Sequence, residues 1–219
     1  MLNLVHGFGG EAGQALASSQ RIGKLAFTGS TATGRKILQC AAESLIPSTV
    51  ELGGKSPNLF FEDVMSFEDS FTDKCLEGAA LAFLDQGEVC TRPSRLLVQE
   101  SIADDFLSRL MERIRGFKQG DPFDTDTQVG AQVSEAQYEK ILGYIETGRK
   151  EGAEVLVGGG HGLSVERLSS GYYVEPTLLK GTNDRLRQPA SSRYRPATIW
   201  RSTRSGWRWR RAVARSPSP

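Results

Sequence analysis

Short apolar runs alternate with amphipathic stretches through the first 184 residues. Leu2–His6 is an apolar run that reads as a buried strand, ending at Gly7. Gly7-Phe-Gly-Gly-Glu-Ala-Gly13 follows as a loop, then an Ala-rich amphipathic helix to about Ser19. Lys24–Phe27 is a second strand, closed by Thr28-Gly29-Ser30. Ser30 or Thr31 is the expected N-cap of a helix over Thr33–Ser44. Ser48–Leu52 is a strand stopped by Gly53-Gly54, and Pro57–Phe61 is another. From Ser66 to about Asp85 the helical period places Phe67, Phe71, Cys75, Ala79 and Phe83 on one face. Arg95–Gln99 is predicted as a strand. Ser101–Gly116 is predicted as a helix with Ile102, Phe106, Leu107, Leu110 and Ile114 inward. A polar loop spans Gly120–Asp126. Ser134 opens a helix to about Glu151, Ala153–Val157 is a strand, and Tyr172–Leu179 is extended. Strand and helix alternating at this spacing predict an α/β fold with parallel strands.

Charge divides the chain. The net charge is +1, but residues 185–219 hold ten Arg, no Lys and no acidic residue. Residues 1–184 hold 17 basic against 26 acidic residues, a net of −9. All three Trp (Trp200, Trp207, Trp209) lie in the Arg-rich tail. That tail lacks the aliphatic residues of a core and is expected to be disordered. Arg with interleaved Trp also suits phosphates and bases. The competing account is an aberrant, out-of-frame terminus, since GC-rich coding sequence read in the wrong frame yields Arg, Pro, Ser, Ala and Trp.

No run approaches the roughly 18 apolar residues of a membrane helix, and the N-terminus has no signal-peptide pattern. Three Cys (Cys40, Cys75, Cys90) do not make a disulfide scaffold, so a reducing, cytoplasmic setting is expected. His6 and His161 lie far apart, without the spacing of a zinc site.

Four segments carry candidate chemistry. Gly7-x-Gly9-x-x-x-Gly13 follows a strand but departs from the G-x-G-x-x-G spacing. Gly29-Ser-Thr-Ala-Thr-Gly34 opens a helix whose free N–H groups suit a pyrophosphate, although local physics alone favours an ordinary cap. Glu51-Leu-Gly-Gly-Lys-Ser-Pro57 puts a carboxylate at a strand's carboxyl end, where α/β sheets bind ligands. Gln86-Gly-Glu-Val-Cys90 sets a thiol after a break in a helical pattern, where it could be exposed or simply buried.

In this order the four segments resemble the aldehyde dehydrogenase superfamily, most closely its bacterial acetaldehyde-type members. The resemblance runs from about Leu2 to Thr182. It implies a partial aldehyde dehydrogenase fold: the C-terminal half of a Rossmann-like cofactor domain over residues 1–52, then most of the α/β catalytic domain over 53–184. Residues 185–219 fall outside it. The resemblance makes Cys90 the nucleophile that forms a thiohemiacetal and then a thioester, and Glu51 the general base for hydrolysis. It places Ser30, with Gly29, Thr31 and Gly34, at the pyrophosphate of NAD or NADP. Leu52 and Gly53 fall near the nicotinamide, and Gly9 and Gly13 on the adenine side. The Cys90 N–H would supply half of an oxyanion hole.

The implied substrate is a small-molecule aldehyde and the implied assembly a homo-oligomer, with neither membrane nor nucleic acid as partner. Relatives of this kind are more than twice as long. They continue past the Asn183-Asp184 position into a Glu-Glu-Ile-Phe-Gly-Pro motif, where this chain reads Arg185-Leu-Arg-Gln-Pro. The 219-residue chain alone is therefore expected to be inactive. Asp85 stands where close relatives carry Asn, and puts a charge five residues before Cys90.

Overall fold

The computed structural model describes residues 1–66, 70–162 and 171–181, together with the backbone of 197–202. Two sheets organise them. The first is a parallel pair, β1 (Leu25–Gly29) and β2 (Ser48–Leu52), joined by α2 (Thr31–Glu43). The parallel partnership needs a crossover, and α2 supplies it. Ahead of this unit, Gly9–Gly13 form a π-helical turn that runs into α1 (Gln14–Ala17), which packs on α2. The loop expected at Gly9–Gly13 is thus already helical.

The second sheet has the order β3-β4-β7-β6-β5. Its strands are β3 (Pro57–Phe60), β4 (Arg95–Gln99), β5 (Glu154–Val157), β6 (Leu178–Gly181) and β7 (Ala197–Ser202). All neighbours are parallel except β5 and β6, which pair antiparallel with a register shift between Val155 and Val157. The helices are α3 (Ser70–Ala80), α4 (Ala103–Arg115) and α5 (Glu135–Lys150).

The core lies between the second sheet and the α3–α4 layer. β4 alternates, burying Leu96 and Val98, as a half-covered strand should. Against them α4 places Phe106, Leu110 and Ile114, all essentially without exposure. The Phe106 ring lies 4.5 Å from that of Phe60 on β3. A second cluster joins Ile141 and Ile145 of α5 to Val174. Ser134 caps α5 by accepting from the Gln137 N–H, and Gly152 takes the left-handed conformation just past its end.

Three expectations need correction. Leu2–His6 is not a strand: Leu2 and Leu4 are 94% and 77% exposed, and no described strand pairs with the segment. An apolar run becomes a strand only where a neighbour takes its backbone groups. Second, the apolar face expected over Ser66–Asp85 holds at Ala79 and Phe83 and, half-buried against the core, at Cys75, but not at Phe71. Phe71 is exposed, while Thr72, Leu76, Ala79, Ala80 and Phe83 are buried. The Thr72 hydroxyl donates to the Val64 carbonyl oxygen at 2.7 Å and holds Thr72 inward. Phe67 lies outside the described residues. Third, Ala197–Ser202, inside the segment expected to be disordered, form β7 in the middle of the sheet. The Ala-Thr-Ile-Trp run is β-prone, and β4 and β6 offer edges on both sides. The rest of residues 185–219 lies outside the described residues.

Candidate active site

Two of the four candidate segments, those at Gly29–Gly34 and Glu51–Gly53, meet at the carboxyl ends of β1 and β2. Parallel register sets Gly29 opposite Leu52 and Thr28 opposite Glu51. Ser30 is the N-cap of α2: its Oγ accepts from the Thr33 N–H at 3.1 Å and lies 2.9 Å from Thr33 Oγ1. The first intrahelical bond runs from the Gly34 N–H to the Ser30 carbonyl at 2.8 Å. The N–H groups of Thr31 and Ala32 precede it, so they project from the positive end of the helix. Gly34 is buried, and a Cβ there would come within 2.5 Å of Leu52 Cδ2. Leu52 therefore lies across the first turn of α2, and only a glycine at 34 leaves it that place. Donor N–H groups and hydroxyls at a helix start suit a phosphate-bearing ligand. Gly9 and Gly13 lie on the π-helical turn ahead of α1, with open space where a side chain would project. Glu51, Leu52 and Gly53 are all exposed.

Cys90 comes from the other sheet's side, on the connection between α3 and β4, and its thiol is exposed. Among the described residues no hydrogen bond joins it to Glu51. Cys40 and Cys75 are half-buried within α2 and α3. Cys90 is presented by an unusual turn, since Asp85, Gln86 and Gly87 all have positive φ (49°, 54° and 71°). Glycine takes this conformation freely, but each of the other two residues bears a cost of about 1–2 kcal/mol. The neighbourhood holds them in it. The Arg92 Nη2 donates to Asp85 Oδ2 at 2.5 Å, and Nη1 donates to the Leu81 carbonyl at 2.6 Å. On the other side the Gln132 amide donates to the Gln86 carbonyl, and the Gln86 amide donates to the Ala131 carbonyl, both at 3.3 Å. The Asp85 charge thus faces Arg92. Arg92 and Gln132 were not singled out from the sequence. The Gln-Gly pair at 86–87 signals a turn, but nothing local names the groups that hold it.

A parallel β-α-β unit with an anion-suited helix start, followed by a mixed sheet carrying an exposed thiol on a strained turn, is the layout of an α/β enzyme. The profile of the aldehyde dehydrogenase family matches residues 1–189, and the chain belongs to that family. It is 61% identical over 183 residues to an aldehyde dehydrogenase of Vibrio cholerae serotype O1, covering 84% of this chain and 36% of that protein. An acetaldehyde dehydrogenase of Pseudomonas aeruginosa is 60% identical over the same length, with the same coverage. Among solved structures, PnpE in complex with nicotinamide adenine dinucleotide superposes with a TM-score of 0.79 at 37% identity, over 90% of this chain and 39% of that one. The P. syringae indole-3-acetaldehyde dehydrogenase AldA, solved with NAD+ and IAA, gives 0.80 at 36% identity over the same shares. The chain spans little more than a third of the length of these relatives, and its fold is the corresponding part of theirs. No helix among the described residues is long and apolar enough to cross a membrane.

Proposed function

We propose that the protein carries the thiol and cofactor segments of an enzyme that oxidises a small-molecule aldehyde to a carboxylic acid with NAD(P). The observation that carries this reading is the exposed Cys90, three residues past a held left-handed turn, in a chain whose α2 starts behind the Ser30 cap at the carboxyl end of β1. Residues 1–52 are then the cofactor portion and 53–184 the catalytic portion.

Gly29, Ser30, Thr31 and Gly34 would hold the pyrophosphate, Leu52 and Gly53 would lie by the nicotinamide, and Gly9 and Gly13 on the adenine side. The bound dinucleotide supplies the hydride acceptor. Cys90 Sγ, as thiolate, adds to the aldehyde carbon and forms a thiohemiacetal, while the Cys90 N–H donates to the developing oxyanion. After oxidation the acyl group remains on Sγ as a thioester. Glu51 takes a proton from water, the hydroxide adds to the thioester carbon, and the thiolate leaves as the acid is released.

In a protein completed to the length of its relatives, Cys90→Ala should abolish aldehyde-dependent NADH formation. Retained turnover would rule the nucleophile out.

A second reading concerns the 219-residue chain by itself, which we propose does not turn over. Met1, Leu2, Leu4, Val5 and Phe8 are all exposed, and among the described residues the first sheet has two strands. Apolar surface of that kind belongs against protein. NADH production by the purified chain would refute this second reading.

A further inference from the structure

We propose that Arg92 and Asp85 form a positioning pair for the Cys90 thiol, holding the left-handed turn from which residue 90 emerges. The proposal rests on the reading of Cys90 as the nucleophile. Arg92 lies two residues past the thiol and Asp85 five before it, so the ion pair closes the connecting segment into a loop around Cys90. The Arg92 side chain is three-quarters buried, which limits screening of the pair, while that of Asp85 is mostly exposed. Its planar fork grips two points at once, the Asp85 carboxylate and the Leu81 carbonyl at the end of the α3 region. A lysine offers a point charge and cannot hold both with the same geometry.

The left-handed backbone at Asp85 and Gln86 is the conformation that would relax if the grip were lost. Gly87 and Glu88 donate to the Leu84 and Asp85 carbonyls at 3.0 and 2.9 Å, so their amides report whether the turn is closed. Gln132, 4% exposed, grips the Gln86 carbonyl from the opposite side through an uncharged bond. The turn therefore has an ionic restraint through Arg92 and neutral restraints at Gln86, and salt distinguishes the two kinds.

The test uses the full chain. Amide exchange is read over residues 85–91. Mobility is read from a nitroxide on Cys90, with Cys40→Ala and Cys75→Ala removing the other thiols. Arg92→Ala should speed exchange at Gly87 and Glu88 about tenfold and sharpen the nitroxide spectrum. Arg92→Lys should restore part of both. Raising salt to about 1 M should speed the unmodified turn about threefold, leave Arg92→Ala unaffected, and still act on Gln132→Ala. Asp85→Ala combined with Arg92→Ala should be no looser than Arg92→Ala alone.

An unchanged spectrum and exchange rate in Arg92→Ala would overturn the proposal, as would additive effects of the two substitutions. So would a lowered thermal midpoint with an unaltered nitroxide spectrum, which is the mark of a merely structural role. None of these readouts needs aldehyde or cofactor. Turnover retained in a completed Cys90→Ala protein would instead remove the nucleophile and leave the measured order of the turn as it was.

Discussion

Ser30 caps α2 and, under the proposed function, would face a pyrophosphate; substitution separates the two roles. Its Oγ accepts from the Thr33 N–H at 3.1 Å, so Ser30→Ala strands that donor. Loss of such a cap costs about 1 kcal/mol, which lowers the melting midpoint of a chain this size by about 2–4 °C. Ser30→Asp keeps an acceptor and adds a negative charge at the positive end of the helix, a gain of about 0.3–1 kcal/mol. Stability should therefore rank Ala below Ser, and Ser at or below Asp. Dinucleotide affinity should rank differently. A carboxylate about 5 Å from a phosphate, at an effective dielectric near 20, costs about 3 kcal/mol, or roughly a hundredfold in affinity. Ser30→Ala should bind nearly as well as Ser. The assays are urea unfolding of the chain by circular dichroism and NADH titration of the protein completed to its relatives' length. If Ser30→Ala unfolds at the same urea concentration as the parent, the cap is not stabilising. If Ser30→Asp binds NADH as tightly as Ser, the helix start is not the pyrophosphate site.

Phe106→Ala empties the centre of the main core against Phe60 and should cost about 3–5 kcal/mol in urea unfolding; a loss below about 1 kcal/mol would show that α4 is not anchored there. Gly158 has φ +66°, and a Cβ on it would meet the Pro176 carbonyl oxygen at 2.3 Å. Gly158→Ala should then destabilise by at least about 2 kcal/mol. Gly143→Ala, within α5 and facing open space, should stabilise by up to about 1 kcal/mol; the same sign for both would contradict the turn geometry. Asp124 is held below its usual value by the Asp126 N–H and by Lys118, and Lys118 is raised chiefly by its hydrogen bond to Asp124. The Asp124 contribution to order is present above the ordinary value of 3.8 and lost as pH falls through its lower folded value. The Lys118 contribution is present below 10.5 and lost as pH rises through its higher folded value. Exchange of the Asp126 and Thr127 amides should accelerate beyond its intrinsic pH trend under acid conditions, and Asp124→Asn should remove that acid step.

What could be read from sequence depended on whether the determining forces were local. β2 and β4 have the bounds expected, because each is a β-prone run with a punctuated end. α5 runs between the Ser134 cap and Gly152, and α2 starts behind Ser30, because capping chemistry lies within a few residues of what it caps. The misplaced features needed a partner from elsewhere in the chain. Leu2–His6 has a strand's composition and no neighbour to pair with among the described residues. Phe71 leaves the expected row because Thr72 turns inward to bond the Val64 carbonyl, a contact that an i, i+4 row cannot foresee. β7 shows the converse: a short β-prone run becomes a strand because two edges flank it, within a segment of unpromising composition.

The same division runs through the site. Ser30, Gly34 and Leu52 meet because one β-α-β crossover brings two strand ends side by side, so their convergence follows from order in the sequence. The Cys90 turn is different. Its left-handed residues are held by Arg92 from a later position in the same loop and by Gln132 from beyond α4. Periodicity registers neither contact, since each joins a single side chain to a single backbone or carboxylate group. Asp85 read alone is a charge placed awkwardly before a thiol. With the Arg92 guanidinium 2.5 Å away it becomes half of a restraint, and that difference is what makes the pair, rather than either residue, the unit to mutate.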